Sequence, residues 1–275
     1  MIGPEAGRRL SPLAKWWWWS LDYVYAGWRQ AALLWDGRRA PRRWLRGDPA
    51  LPEVVLLPGI YEHWSFVRPM GDALNRAGHR VLAVHGMGAN RADIAETSAR
   101  LARALGRRRT PDAGRVIVGH SKGGLIGKHL LVHDLAAAGR SGAGRSGAGR
   151  SGAGRADAPG DRGPLGIIGV VGIATPFGGS TRAWLLQQDP SIRALRPDDP
   201  VIAALRSAAS VNAHIASIHP VWDPHVPNGS VLAGAHNVEV PVAGHFLVMR
   251  APATVDAVRD AIGRLAASAA PSRSG

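Results

Sequence analysis

A serine between glycines is the first feature of the sequence that could do chemistry. Residues 119–123 are Gly-His-Ser-Lys-Gly, which fits the pattern G-x-S-x-G with Ser121 at its centre. The run RVIVG before it has the composition of a strand, and LIGKHLLVHDL after it has a helical pattern. Ser121 is therefore predicted to occupy a tight strand-to-helix turn, where a helix amino terminus favours developing negative charge. The alternative is a structural Gly-Ser turn, since the chain has 35 glycines.

A serine hydroxyl is a weak nucleophile that needs a base, usually a histidine oriented by a carboxylate. Of the eleven histidines, His245 is the best placed, because it follows the last predicted strand in the run VPVAGHF. His225 is its strongest rival. Asp223 follows another predicted strand and precedes His245, so it is the predicted orienting acid. Alternatively, Asp223 is only a turn residue before Pro224.

Acyl transfer to Ser121 would also require two backbone donors for the tetrahedral oxyanion. The amide that follows the nucleophile, that of Lys122, is one candidate. The other should come from the loop PGIYE after the strand EVVLL. Gly59 lets this loop turn, so the amide of Ile60 is predicted as the second donor.

These residues are positioned by alternating strand and helix patterns, which predict an α/β fold. Its sheet should be mostly parallel, with about six strands, helices on both faces and ligands beyond the carboxyl ends of the strands. The predicted strands are Glu53–Leu57, Arg80–His85, Arg115–Gly119, Leu165–Ala174, His214–Val221 and Val238–Val242. The predicted helices are Ser65–Ala77, Arg91–Leu105, Lys122–Ala138 and Pro252–Ala267.

Composition divides the chain into an amino-terminal segment, residues 1–47, and a catalytic domain, residues 48–275. Within the domain, residues 139–164 contain three SGAGR copies and are predicted to form a flexible basic loop, because Gly and Ser bury little surface. Residues 177–212 are too long for a simple connection. They are predicted to form a small cap over the strand ends, the alternative being an ordinary helix that covers the sheet.

The amino-terminal segment is rich in tryptophan and arginine and is predicted to be helical. Asp22, Arg29 and Gln30 interrupt it, so it is a poor membrane span. Trp and Tyr prefer the lipid interface, and basic residues favour anionic headgroups, so peripheral membrane contact through residues 11–47 is one interpretation. Packing of the helix on the enzyme body is the other. Because Arg8 and Arg9 precede no convincing cleavage site, we expect a cytoplasmic protein, with any membrane contact at the inner face, and no secretion.

Charge and cysteine content limit the possible functions. The chain has no cysteine, which excludes disulfides, a thiol nucleophile and a Cys-ligated zinc site. The net charge of +14 raises nucleic acid as a partner, but much of it lies in residues 1–47 and in the SGAGR repeat. Neither zinc-finger spacing nor an RNP-like aromatic motif is present. We therefore expect no specific nucleic-acid partner; the oligomeric state is left open.

The motifs PGIYE, GHSKGG, IATPFGGS, DPHVP and AGHF, in this order, resemble those of the α/β-hydrolase superfamily, and its lipase-like and esterase-like members most. The resemblance covers about residues 52–267. It implies the α/β-hydrolase fold, an acyl-enzyme mechanism and the triad of Ser121, Asp223 and His245. It departs from the family where the first strands of the usual eight-stranded sheet are missing or replaced, and where Lys122 stands in place of a smaller or uncharged residue. The lysine suggests an anionic or headgroup-bearing ester.

The segment IATPFGGS is similar to one that begins the cap of bacterial lipases, which suggests an acyl pocket. The residues expected to contact substrate are Tyr61, His120, Phe177, Trp184 and Leu185. The predicted function is hydrolysis of a small-molecule or lipid carboxylic ester without a metal or other cofactor. Acyl transfer to an alcohol by the same triad and a membrane-associated, non-catalytic binding protein are the alternatives.

Overall fold

A computed structural model describes residues 10–37, 39–84, 89–145, 162–184 and 188–270, with backbone only for 141–145. At its centre is a six-stranded sheet in which every pairing is parallel. The strands are β1 (Glu53–Leu57), β2 (Val81–Ala83), β3 (Arg115–His120), β4 (Ile167–Ile173), β5 (Ile215–Trp222) and β6 (His236–Ala243). Their spatial order is β2-β1-β3-β4-β5-β6. The predicted fold class is confirmed, and each predicted strand has a counterpart.

Helices cover both faces of this sheet. They are α1 (Pro12–Ala31), α2 (Leu33–Asp36), α3 (Arg68–Arg76), α4 (Ile94–Gly106), α5 (Lys122–Arg145), α6 (Pro190–Arg193), α7 (Pro200–Ser207) and α8 (Pro252–Ala269). Short 3-10 turns lie at Arg42–Leu45, Trp64–Val67, Thr181–Trp184, Ala209–His214 and Leu247–Arg250. Alternate residues of β1 pack into two separate cores, with Val54 in one and Val55 in the other. A strand buried on both sides in this way is necessarily an apolar run rather than an alternating one.

Helix α5 is longer than predicted. It runs to Arg145 and so includes the first copy of SGAGR, whereas a flexible loop was predicted to begin at residue 139. Residues 146–161 of that predicted loop lie outside the described part of the chain.

Helix α1 packs along one face against the part of the chain that contains the sheet. Ser11 caps its first turn, and Asp22, Tyr25 and Arg29 are buried. Arg29 forms an ion pair with Asp36 at 2.9 Å and donates to the carbonyl of Ser65. The packed arrangement is therefore present, and the opposite face of the same helix stays exposed. None of the helices among the described residues is both long and apolar enough to cross a membrane.

Candidate active site

Ser121 lies between the end of β3 and the start of α5, in the tight turn that its glycines predict. Its φ is 51°, a left-handed value that non-glycine residues rarely adopt. The turn is crowded, since a Cβ at Gly119 would lie 2.4 Å from the backbone of Gly123, and one at Gly124 would lie 2.0 Å from Thr175 Oγ1. The glycines therefore permit a backbone that projects Ser121 from the carboxyl end of the sheet.

His245 follows β6, and Asp223 follows β5, so neighbouring strands bring the two residues together. Asp223 Oδ2 lies 2.7 Å from His245 Nδ1. The second carboxylate oxygen, Oδ1, accepts the backbone N–H groups of His225 and Val226 at 2.7 and 3.0 Å. Burial disfavours both charges, but their attraction prevails: it lowers the pKa of Asp223 and raises that of His245. The pair thus has an oriented imidazole with an enhanced affinity for a proton.

His225, the rival base, lies beside this pair but has a different environment. Its ring centroid is 4.9 Å from that of His245, and Asp223 accepts its backbone amide. Burial and the nearby charge of His245 lower the pKa of His225 to about 3. A histidine that stays neutral at such low pH is a poor proton acceptor, so the geometry favours His245.

Ser121 and His245 border one cavity of about 300 Å³. Its walls come from α1, from the loops after β1 and β5, and from the segment after β4. Lining residues from these elements include Tyr23, Gln30, Ile60, Tyr61, Ile192 and Leu195. Arg182, Ala183, Ile192 and Leu195 of the predicted cap thus line the cavity. Ile202 and Leu205 of α7 pack into the core instead. Among the described residues, no His, Asp and Glu side chains cluster so that they could hold a metal ion.

No family model and no curated protein matches the chain. Among solved structures, it is similar to a lipase of Bacillus licheniformis in mature form, at 14% identity and a TM-score of 0.51, over 78% of this chain and 94% of that one. A metagenomic carboxyl esterase is similar at 17% identity and a TM-score of 0.53, over 83% and 79% of the two chains. A structure from a study of two metagenome-derived lipolytic enzymes has 14% identity, a TM-score of 0.51, and coverage of 80% and 95%. The chain has the α/β-hydrolase fold.

The loop after β1 occupies the place where α/β-hydrolases commonly provide an oxyanion donor. Ile60 lines the cavity, and neighbouring contacts hold its loop: Gly59 N–H donates to Glu62 Oε2 at 2.6 Å, and Tyr61 N–H donates to the carbonyl of Ala89 at 2.7 Å. Tyr61 has a φ of 59°. The loop is thus fixed on both sides of the predicted donor.

The Lys122 side chain does not face the cavity that Ser121 borders. It is fully buried and donates to the carbonyls of Asn90 and Ala92, at 3.1 and 2.5 Å. Burial lowers its pKa to about 8. The suggestion that Lys122 selects an anionic ester is therefore wrong, because its ammonium is directed to the loop before α4.

A buried Glu62–His120 pair lies next to Ser121 and His245, and its carboxylate was not predicted from the sequence. Glu62 Oε1 lies 2.7 Å from His120 Nδ1, and His120 Nε2 lies 2.9 Å from the carbonyl oxygen of His245. His120 was expected to contact substrate, but its ring is buried and is not among the described residues that line the cavity. It instead connects the loop after β1 with the loop that carries His245.

Asp22 is a second residue of this site that the sequence did not reveal. Its carboxylate is fully buried and accepts three backbone N–H groups of the loop after β6, those of His245, Phe246 and Leu247, each at 2.8 Å. In the sequence, the only sign of this role is that Asp22 is an acidic residue within a predicted aromatic helix. Its partners lie more than 220 residues away, so no local pattern identifies them.

The remaining predicted substrate contacts have different outcomes. Tyr61 lines the cavity, and its hydroxyl donates to Asp189. Phe177 instead packs in the core, with its ring against Gly172. Trp184 lies outside the cavity lining and is 43% exposed, with the Arg196 guanidinium 3.5 Å from its ring centroid. Leu185 lies outside the described residues.

Proposed function

We propose that the protein hydrolyses carboxylic esters through an acyl-enzyme on Ser121. One observation carries this proposal: a serine in a left-handed strand-to-helix turn shares a cavity with a buried histidine that is paired to a carboxylate. This combination supplies a nucleophile, a base and an orienting group in one place.

In the proposed reaction, Ser121 Oγ attacks the ester carbonyl carbon while His245 takes the hydroxyl proton. Asp223 stabilises the resulting imidazolium. The backbone amides of Ile60 and Lys122 are the proposed donors to the oxyanion. When the intermediate collapses, the bond to the alkoxide breaks and His245 returns the proton to it, which leaves the acyl group on Ser121. Water, deprotonated by His245, then releases the carboxylic acid and restores the serine.

The cavity favours an uncharged, moderately apolar acyl group. Apolar side chains such as Ile60, Leu195 and Phe246 contribute to its lining. A volume of about 300 Å³ lies at the small end of pockets that take small molecules. We therefore expect short to medium acyl chains to be turned over fastest among soluble esters.

A fluorophosphonate probe and a panel of p-nitrophenyl esters with increasing chain length test this function. Wild type should be labelled and active, whereas Ser121→Ala should be neither. Ser207→Ala, which changes an exposed serine on α7, is the matched control and should behave as wild type. Equal labelling of Ser121→Ala and wild type, or no turnover of any ester by folded protein, would overturn the proposal. Product analysis with and without an added alcohol distinguishes hydrolysis from acyl transfer.

A further inference from the structure

The outward side of α1 is an exposed apolar surface, which we call the aromatic face. It comprises Leu13, Trp16, Trp17, Trp19, Val24 and Trp28. The exposed fractions reach 82% for Leu13, 69% for Val24 and 67% for Trp16. Of the charged residues on α1, Asp22 and Arg29 are buried, so Lys15 alone adds a charge to the exposed part of this helix.

An exposed cluster of this size on one helix is unusual for a surface that faces only water. Its composition indicates which partner it fits. Tryptophan combines a large apolar ring with an N–H donor and concentrates where hydrocarbon meets lipid headgroups. A helix with one such face and a packed opposite face is suited to lie in the plane of a membrane surface.

Basic residues on and after this helix favour an anionic surface. Lys15 is exposed beside Trp16 on α1, and exposed arginines follow α2 in the sequence at Arg39 and Arg42. Each basic residue near an anionic bilayer contributes about 1 kcal/mol of attraction. The whole chain has a net charge of +14, which adds long-range attraction to the same partner.

Residues of the same helix also line cavities. Tyr23, Ala26 and Gln30 line the cavity that contains Ser121. Trp18 and Leu21 line a second cavity of about 520 Å³, whose lining is mostly apolar and includes Arg250. Contact of α1 with a bilayer would therefore bring the catalytic cavity and an apolar groove close to lipid.

We propose that the aromatic face of α1 docks on an anionic lipid bilayer and that the enzyme takes its ester from that surface. Docking is argued from the exposed aromatic face and from the basic residues of the chain. The claim that the ester comes from the bilayer rests in addition on the proposed ester hydrolysis.

Two valines of equal exposure give a matched test of docking. Val24 is 69% exposed on the aromatic face, and Val231 is 67% exposed elsewhere. The full chain is floated with phosphatidylcholine vesicles that contain or lack phosphatidylglycerol. We expect wild type and Val231→Asp to float with the anionic vesicles. Val24→Asp should bind about ten-fold more weakly, because it places a carboxylate in the contact. High salt should weaken the binding of wild type.

Equal flotation of the two aspartate variants, or equal binding to vesicles with and without phosphatidylglycerol, would overturn the docking proposal. A different oligomeric state of Val24→Asp and wild type in sedimentation would also overturn it, since that outcome would assign the aromatic face to contact with a second copy of the chain. A Trp16→Ser, Trp17→Ser double variant should reproduce the loss. Because all these side chains are exposed, circular dichroism should show unchanged folding.

Turnover then tests the source of the ester. The ratio of activity on a vesicle-embedded ester to activity on soluble p-nitrophenyl butyrate should fall at least several-fold in Val24→Asp and stay constant in Val231→Asp. An unchanged ratio would overturn the lipid-borne substrate. Failure of every variant to cleave any ester would instead overturn the proposed function, and the flotation result would still decide docking.

Discussion

At the scale of single residues, the Asp223–His245 pair determines how activity should depend on pH. The base must be neutral to accept the Ser121 proton, and Asp223 raises the pKa of His245 above its ordinary 6.5. The kcat/KM of wild type should therefore fall as the pH falls through that raised pKa. Asp223→Asn removes the carboxylate, so the acid limb should move to lower pH and kcat should drop by about 10⁴.

The pH profile of p-nitrophenyl ester hydrolysis, measured from pH 5 to 9, checks this expectation. Asp112→Asn is the matched control, because Asp112 is exposed and remote from His245 in the structure. An acid limb at the same pH in Asp223→Asn and wild type would assign the titration to another group.

Asp22 is predicted to position His245 rather than to contact substrate. Asp22→Asn loses a charge that three backbone N–H groups share, so the loop after β6 should loosen. We expect kcat to fall by about ten-fold or more and stability to fall by about 1–3 kcal/mol. The NMR resonance of the proton between His245 and Asp223 should also shift or broaden.

Asp36→Asn separates this positioning role from simple loss of stability. Asp36 is also buried and pairs with Arg29 and Arg68, but no contact of its side chain with His245 or its loop is present in the described structure. Asp36→Asn should lower the melting temperature without shifting the resonance of the proton between His245 and Asp223. Identical NMR spectra for Asp22→Asn and wild type would contradict the positioning role.

At the scale of elements, the strands were predictable because each is a short buried run between turn residues. The placement of Ser121, Asp223 and His245 follows from the same runs, since parallel strands present their carboxyl ends at one edge. Contacts across the chain were not predictable. Asp22 and Glu62 contact residues far away in the sequence, at the loop after β6 and at His120, which no local pattern identifies. Phe177 packs in the core, and composition alone does not distinguish a core phenylalanine from one that lines a pocket.

The turn between β3 and α5 gives a prediction about the element that holds the nucleophile. In Gly124→Ala, the new Cβ would lie 2.0 Å from Thr175 Oγ1, so α5 or the loop after β4 must shift. We expect a lower melting temperature, about 1–3 kcal/mol of lost stability, and reduced fluorophosphonate labelling. Gly263→Ala in α8, where nothing lies within 4 Å of the new Cβ, should instead stabilise by about 0.5–1 kcal/mol. Equal melting temperatures for the two variants would refute the crowding argument.

At the scale of the whole molecule, most of the few lysines are buried. Only three of its 34 Lys and Arg residues are lysines, and Lys122 and Lys128 are both buried. Lys128 Nζ lies 2.7 Å from Asn212 Oδ1, with no carboxylate partner among the described residues. Burial lowers the pKa of each of these lysines to about 8. The fold therefore holds two ammonium groups that it stabilises poorly at neutral pH.

This arrangement predicts that the protein becomes more stable as the pH rises from about 8 to 9.5, below the range in which Tyr23 and Tyr25, whose pKa values burial raises, oppose the lysines. In that range the unfolded chain, in which lysine has its ordinary pKa of 10.5, binds more protons than the folded chain, so the free energy of unfolding increases with pH. At pH 9.5 the free energy of unfolding should have increased by about 1–2 kcal/mol for each buried lysine.

Lys128→Met removes one of the two groups and should reduce the dependence of the free energy of unfolding on pH by about half. Lys15→Met, which changes the one exposed lysine, should leave it unchanged. Urea unfolding at pH 7.5, 8.5 and 9.5 measures these slopes, and a Lys128→Met slope equal to that of wild type would show that Lys128 is protonated to the same extent in the folded and unfolded chains.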